Sequence, residues 1–357
     1  MWNVVWQKRM TCFKEFPFEP GEEVWKLRIR VNTTSKRFRV RLSNEYDSCP
    51  LKIAGLKISA DGIHDIPITF SGKQVCEVSP GSKMYSDAAV LSTKGNYLYL
   101  KIQAKTQQIC TQGHTSETNL TAVNGEGGYY FGIDRVEADE EKKKSLLCFF
   151  GDSLTDQGFF SGSFTECLYK NTDYSTYNCG ISGNRLLRDA DSKSPWASSF
   201  GEAGIKRFEK DVFDNVSPKI VIVMIGINDL YHPGNGSPIQ QLPETKQLVN
   251  GMRKLMEISE AYGTLCVPCT ISPFRGTLYE GKEVWDIHRE KVRNQFNHWI
   301  RQQRYYLDVD QFVRAEDPQR LNKDYDCGDH MHFSPEGGRK LGVFMYKSME
   351  REVCNEL

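Results

Sequence analysis

From residue 25 to about residue 136, apolar and polar side chains alternate with period two, as in Lys26-Leu-Arg-Ile-Arg-Val and Phe38-Arg-Val-Arg-Leu. Successive side chains of a strand point to opposite faces, so this alternation describes strands with one buried and one wet face. Turn residues interrupt it at Asn44, Asp61-Gly62, Ser71-Gly72 and Pro80-Gly81, which predicts antiparallel pairing in a β-sandwich of jelly-roll type. After residue 145 the grammar changes. Strand candidates rich in apolar residues at 146–150, 220–225, 264–271 and 305–309 alternate with amphipathic stretches such as 244–262 and 284–303. Strands buried on both faces and separated by helices predict an α/β domain with a parallel sheet, and right-handed crossovers put helices on both of its faces.

At 357 residues the chain exceeds the usual span of one core. The expected division is a β-sandwich domain at 1–140 and an α/β domain at 145–357. The mixed charge run 137–144 reads as a solvated linker, and Trp2 and Trp6 stand outside any alternating strand, available to dock on a neighbouring surface.

Lys plus Arg and Asp plus Glu are balanced at 46 each. That balance removes the electrostatic basis for nucleic acid or an anionic membrane surface as partner, and points to a small or neutral ligand. No run of about 18 apolar residues occurs, and the N-terminus lacks the basic-then-apolar order of a signal peptide. Eleven cysteines, an odd number spread through segments such as Leu147-Cys148-Phe149, suit reduced core thiols better than a disulfide framework. The expectation is a soluble, cytoplasmic protein, or a secreted one if a signal has been removed. Sequons at Asn32, Asn119, Asn215 and Asn235 do not alter it. Cys266-Val-Pro-Cys269 has redox-dithiol spacing but lies inside a strand-like run, which favours packing, and no second cysteine pair completes a zinc site. No cofactor and no metal are expected.

Four short blocks carry chemistry. The first is Gly151-Asp-Ser-Leu, which puts Ser153 at the C-terminal end of an apolar strand, where open parallel sheets bind ligands and a helix start aims N–H groups at negative charge. The second, Asn178-Cys-Gly-Ile-Ser-Gly-Asn-Arg, holds Gly183, which lets backbone approach a ligand closely. Ile225-Gly-Ile-Asn-Asp-Leu ends the most apolar strand and brings the Asn228 amide out at the same sheet edge. Last comes Asp329-His-Met-His332, an acid and an imidazole three residues apart. Singly, each has a plain structural explanation: an N-cap, a loop glycine, an Asx-turn, a helix-initiating turn.

In this order the four blocks resemble the GDSL, or SGNH, hydrolase superfamily over about residues 145–350. The resemblance implies a flavodoxin-like three-layer α/β/α domain. Its roles carry over as Ser153 the nucleophile, His332 the general base, Asp329 its orienter, and Gly183 and Asn228 oxyanion-hole donors together with the Ser153 N–H. His330 is left to structure. Arg39-Val-Arg-Leu-Ser-Asn-Glu-Tyr, Gly180-Ile-Ser-Gly-Asn-Arg-Leu-Leu-Arg-Asp, Thr270-Ile-Ser-Pro-Phe-Arg-Gly and Gly328-Asp-His-Met-His look like a microbial esterase subgroup with an N-terminal β domain. Many relatives have proline directly after the histidine, where this chain has Phe333-Ser-Pro.

What the resemblance implies is a serine esterase acting on short acyl groups, O-acetyl groups on a carbohydrate above all, with a small-molecule or oligosaccharide ester as partner. A lipase or acyl-thioesterase of the same superfamily is the alternative, and it needs a long apolar groove or an interfacial lid, for which no basic-aromatic helix is evident. A carbohydrate-binding protein with a dead catalytic domain is a third, and the four intact blocks argue against it. Phe159, Phe160, Phe164, Tyr169, Tyr174, Tyr231 and His232 follow the blocks, either as sugar-stacking aromatics or as core. The β half lines one wall of the cleft or forms a homo-oligomer interface, and the residues leave both open.

Overall fold

The computed structural model describes residues 1–21, 23–92, 96–115, 121–123, 128–171 and 173–352, so Asn119 lies outside the described residues. The chain divides into two compact units: Met1–Leu146 with Tyr169–Asn178, and Leu147–Leu168 with Cys179–Leu357.

Within residues 1–146 of the first unit, the described strands pair antiparallel. One sheet runs Trp2–Gln7, Ile133–Asp139, Arg37–Asn44, Ser82–Tyr85, and a second runs Thr121–Val123, Trp25–Arg30, Tyr97–Ala104, Leu51–Ser59, Ile66–Pro67. The alternation behaves as strand geometry requires. Val40, Leu42 and Val136 of the first sheet and Ile29, Leu98 and Leu100 of the second are fully buried in one cluster, the core of a β-sandwich. Asn32 is itself buried and donates both amide hydrogens to the carbonyls of Asn171 and Tyr174, at 3.0 and 2.9 Å.

Two expectations are corrected here. Trp2 and Trp6 belong to a strand paired with Ile133–Asp139, and Trp6 is buried in the core. Glu137 is not linker: it sits in a strand, buried, accepting from Arg39 Nε at 2.7 Å and from the Tyr85 hydroxyl at 2.8 Å. A charge run reads as solvated only while its partners are out of view, and here they stand on the neighbouring strands.

The α/β part has a sheet in the order Tyr174–Gly180, Ser145–Gly151, Ile220–Met224, Leu265–Pro268. The last three pair in parallel, Leu147 beside Ile220 and Ile220 beside Leu265. Helices Thr245–Ala261 and Ile287–Ile300 fall where the amphipathic stretches predict them. The run at 305–309 forms no strand; it contributes a single bridge, Leu307 to Cys269, and then enters the helix Val309–Val313. The fourth strand is Tyr174–Gly180, whose sequence YSTYNCG contains no apolar run although nearly every residue is buried. Cys266 and Cys269 are core residues whose thiols burial pushes up, Cys266 to about 12, and no disulfide joins the ten described cysteines.

The C-terminal helix Pro335–Glu352 lies against the helix Phe159–Leu168 that follows the Ser153 turn. The approach is close enough that a Cβ on Gly338 would stand 2.5 Å from Phe159 Cβ, and one on Gly342 would stand 2.8 Å from Ser163 Cβ. This packing brings a residue near 332 back to residue 153. Among the described residues no helix is long and apolar enough to cross a membrane.

Candidate active site

Ser153 opens a short helix, Ser153–Asp156, directly after the strand Ser145–Gly151, with Asp152 as N-cap accepting from Leu154 N–H at 3.1 Å. A helix start leaves its first N–H groups without intrahelical acceptors. The Ser153 N–H has no acceptor among the described residues, and neither does that of Gly183.

The Ser153 hydroxyl lies 2.8 Å from His332 Nε2, and His332 Nδ1 lies 2.6 Å from Asp329 Oδ2. An ionised carboxylate only accepts, so the ring proton belongs on Nδ1 and Nε2 is left to accept from the serine. Partial burial works against the Asp329 charge, but the His332 ring and the N–H groups of Met331 and His332 outweigh it and hold the carboxyl well below the usual carboxylate range. His330 is turned elsewhere: its Nδ1 lies 2.7 Å from Asp326 Oδ2, forming a second acid–imidazole pair, with its backbone at φ 67°.

Gly183 has φ 76°, a left-handed conformation that a side chain disfavours, and the Phe200 ring covers its Cα. Its neighbours on both sides are fixed. Ser182 donates through N–H and Oγ to Asp156 Oδ2, at 3.1 and 2.6 Å, which ties this loop to the helix of Ser153. Asn184 donates to the carbonyls of Phe200 and Glu202, and its own carbonyl accepts from Asn228 Nδ2 at 3.0 Å. That bond puts the Asn228 amide beside Gly183 and uses one of its two N–H groups. Buried Asp229, next along the Ile227–Tyr231 helix, accepts from Leu186 and Leu187 N–H at 2.6 and 3.0 Å.

Several positioning groups carry no signal in the four blocks. Arg207 is fully buried and donates to the carbonyls of Gly151 and Cys179, to Asn184 Oδ1 and to Asp211 Oδ2, all within 2.9 Å. One guanidinium thereby joins the end of the Ser153 strand, the end of the Tyr174–Gly180 strand and the Gly183 loop. Only the i,i+4 spacing of Arg207 and Asp211 is visible in sequence. Asp152 and Asp229 are enclosed, and burial pushes their carboxyls up to about 7 and about 6.

The aromatics divide. Phe160, Phe164 and Tyr174 are core, and His232 is buried as well. Tyr231 is half-buried, 6.4 Å from the ring of Tyr279, and burial, then Tyr279 and the Asp329 charge, raise its phenol. Tyr279 sits in the hairpin Leu278–Tyr279 with Lys282–Glu283, a position the blocks do not mark.

The family model for the GDSL-like Lipase/Acylhydrolase family matches residues 149–340, more than half of the chain. The protein belongs to that family. It is a carboxylic ester hydrolase of the SGNH/GDSL type, with an α/β domain following a β-rich N-terminal part. No curated protein matches the chain. Among solved structures, a family two carbohydrate esterase from Clostridium thermocellum, in complex with cellohexaose, is similar at TM-score 0.45 and 11% identity over 96% of this chain and 95% of that one. A carbohydrate acetylesterase family member from Sinorhizobium meliloti is similar at 0.43 and 14%, over 59% of this chain and 99% of that one. A GDSL-like lipase from Bacteroides thetaiotaomicron is similar at 0.40 and 17%, over 59% and 86%.

Proposed function

We propose that the protein hydrolyses short-chain esters, O-acetyl groups on a carbohydrate in particular, through an acyl-enzyme on Ser153. The observation that carries this is the continuous chain from the Ser153 hydroxyl through His332 to Asp329, 2.8 and then 2.6 Å. A serine hydroxyl is a weak nucleophile near neutral pH, so the neutral imidazole takes its proton as Oγ attacks the ester carbonyl. The anionic Asp329 then stabilises the imidazolium and holds its tautomer. Negative charge moves to the carbonyl oxygen, where the N–H groups of Ser153 and Gly183 and the second N–H of Asn228 serve as donors. Collapse of the tetrahedral intermediate expels the alcohol, protonated by His332. Water activated by the same imidazole then attacks the acyl-enzyme and frees Ser153.

The acyl and alcohol preferences rest on the resemblance to microbial esterases and on Tyr231 and Tyr279, paired aromatic rings of the kind that sugars stack on, of which Tyr231 lies three residues past Asn228. In the test, Ser153→Ala folds normally and loses several orders of magnitude in turnover, since residual rate comes only from the oxyanion donors and binding. A serine-directed phosphonate labels Ser153 alone. Across p-nitrophenyl esters and acetylated oligosaccharides, kcat/KM is expected to be higher on acetate than on palmitate. Wild-type turnover in Ser153→Ala overturns the mechanism, and a preference for palmitate replaces acetyl esterase with lipase.

A further inference from the structure

His232 sits one residue past the short helix Ile227–Tyr231, and its N–H bonds to the Asn228 carbonyl at 3.1 Å. Residues 228 and 232 are thus one helical turn apart and face the same side. Both reach the Gly183 loop: Asn228 Nδ2 meets the carbonyl of Asn184 at 3.0 Å, and His232 Nε2 meets the carbonyl of Gly183 at 3.1 Å. A carbonyl only accepts, so the His232 proton belongs on Nε2. The ring is buried, and burial pushes it down to about 4, which leaves a neutral imidazole with a single N–H to place. Phe200 packs on it with ring centroids 5.1 Å apart, and Phe200 is the ring that covers Gly183.

Two consecutive carbonyls, those of Gly183 and Asn184, are therefore held by two side chains of one helical turn. These bonds fix the two peptide planes that follow the Gly183 Cα, and the Gly183 N–H, in the plane before it, is then separated from them only by the φ and ψ of a glycine whose other neighbour, Ser182, is bound to Asp156. We propose that His232 is a positioning residue for ester hydrolysis: its Nε2–H, bound to the Gly183 carbonyl, sets the Gly183 N–H and the Asn228 amide in the mutual geometry that receives the oxyanion. This rests on the assignment of Gly183 and Asn228 as oxyanion donors made above. Charge on the carbonyl oxygen is small in the bound ester and large in the transition state, so a misplaced donor costs kcat and leaves KM nearly unchanged. Outright removal of a donor costs roughly 100- to 1000-fold in turnover. Loosening one is expected to cost on the order of 10- to 100-fold.

Three variants of the full chain test this on p-nitrophenyl acetate, with thermal unfolding followed in parallel. His232→Phe keeps an aromatic ring against Phe200 and removes the donor. His232→Gln carries an amide N–H out to the reach of Nε2, whereas His232→Asn carries it only to that of Nδ1. The expected result is a 10- to 100-fold fall in kcat for His232→Phe and His232→Asn with KM within twofold, and recovery of most of kcat in His232→Gln. Should His232→Phe fail to fold, the contrast between glutamine and asparagine still decides. Equal rates in those two variants, a loss confined to KM, or wild-type kcat in His232→Phe overturns the proposal. Ser153→Ala, assayed alongside, keeps the two readings apart: if it is dead while the His232 variants are unaffected, only the role of His232 falls.

Discussion

Replacing Gly183 by alanine puts one methyl group at the most constrained point of the site. At φ 76° an L-residue pays roughly 1–2 kcal/mol that glycine does not. The added Cβ would also stand 2.5 Å from Phe200 Cγ and 2.6 Å from Cε1, well inside van der Waals contact. Relief by movement is blocked on three sides. Ser182 is bound to Asp156, Asn184 is bound to the carbonyls of Phe200 and Glu202, and the Gly183 carbonyl faces His232. An overpacked site of this kind costs roughly 1–3 kcal/mol, so the total comes to about 2–5 kcal/mol. That amount is expressed as lost stability if the native geometry holds, or as lost turnover if the loop shifts and takes the Gly183 N–H with it. Urea unfolding and kcat on p-nitrophenyl acetate, measured together, account for it. Combining Gly183→Ala with Phe200→Ala removes the clash but not the backbone strain, so the pair should be less damaging than the sum of the singles by about 1–3 kcal/mol. Gly183→Ala with unchanged stability and unchanged kcat, or strict additivity in the double variant, would refute the reasoning.

Two further outcomes are expected. His332→Ala should be as damaging as Ser153→Ala, and His330→Ala mild, because only His332 lies within hydrogen-bond distance of the Ser153 hydroxyl; the reverse order in steady-state kinetics would exchange their roles. Asp229 has its carboxyl raised by burial to about 6, so its contribution to stability is present below about pH 4 and is lost as pH rises through 6. Asp229→Asn should therefore gain up to about 3 kcal/mol relative to wild type between about pH 4 and pH 8 in urea unfolding, and a pH-independent difference would show the buried carboxyl to be unperturbed.

Much of the fold was legible from the chain, for a physical reason that also explains the misses. Hydrophobic periodicity reports burial, and it succeeded where one face of an element is apolar, as in Trp25–Arg30, Arg37–Asn44 and Tyr97–Ala104, or where both are, as in Ile220–Met224. It failed where polar groups are buried with partners. Tyr174–Gly180 is a strand built largely of hydroxyl-bearing and amide side chains, and Glu137 is a buried charge satisfied by Arg39 and Tyr85. Conversely, the stretch 305–309 did not become a strand: its Asp308 caps the helix Val309–Val313, and periodicity in a short stretch cannot separate a strand from the approach to a buried helix.

By itself, the sequence determined the fold class, the family and the four blocks, since each block needs particular residue types at a strand end or helix start. Tertiary structure alone decided which groups meet. Two acid–imidazole pairs stand within seven residues, Asp326 with His330 and Asp329 with His332, and their local chemistry is nearly the same. What separates them is the packing of Pro335–Glu352 on Phe159–Leu168, which brings one imidazole to Ser153 across 179 residues of chain. The contacts of Arg207, Asp156 and His232 with the site were invisible for the same reason: each meets backbone carbonyls, N–H groups or side chains 23 to 56 residues away. A backbone acceptor has no residue identity, so no pattern along the sequence can announce the side chain that will be folded against it.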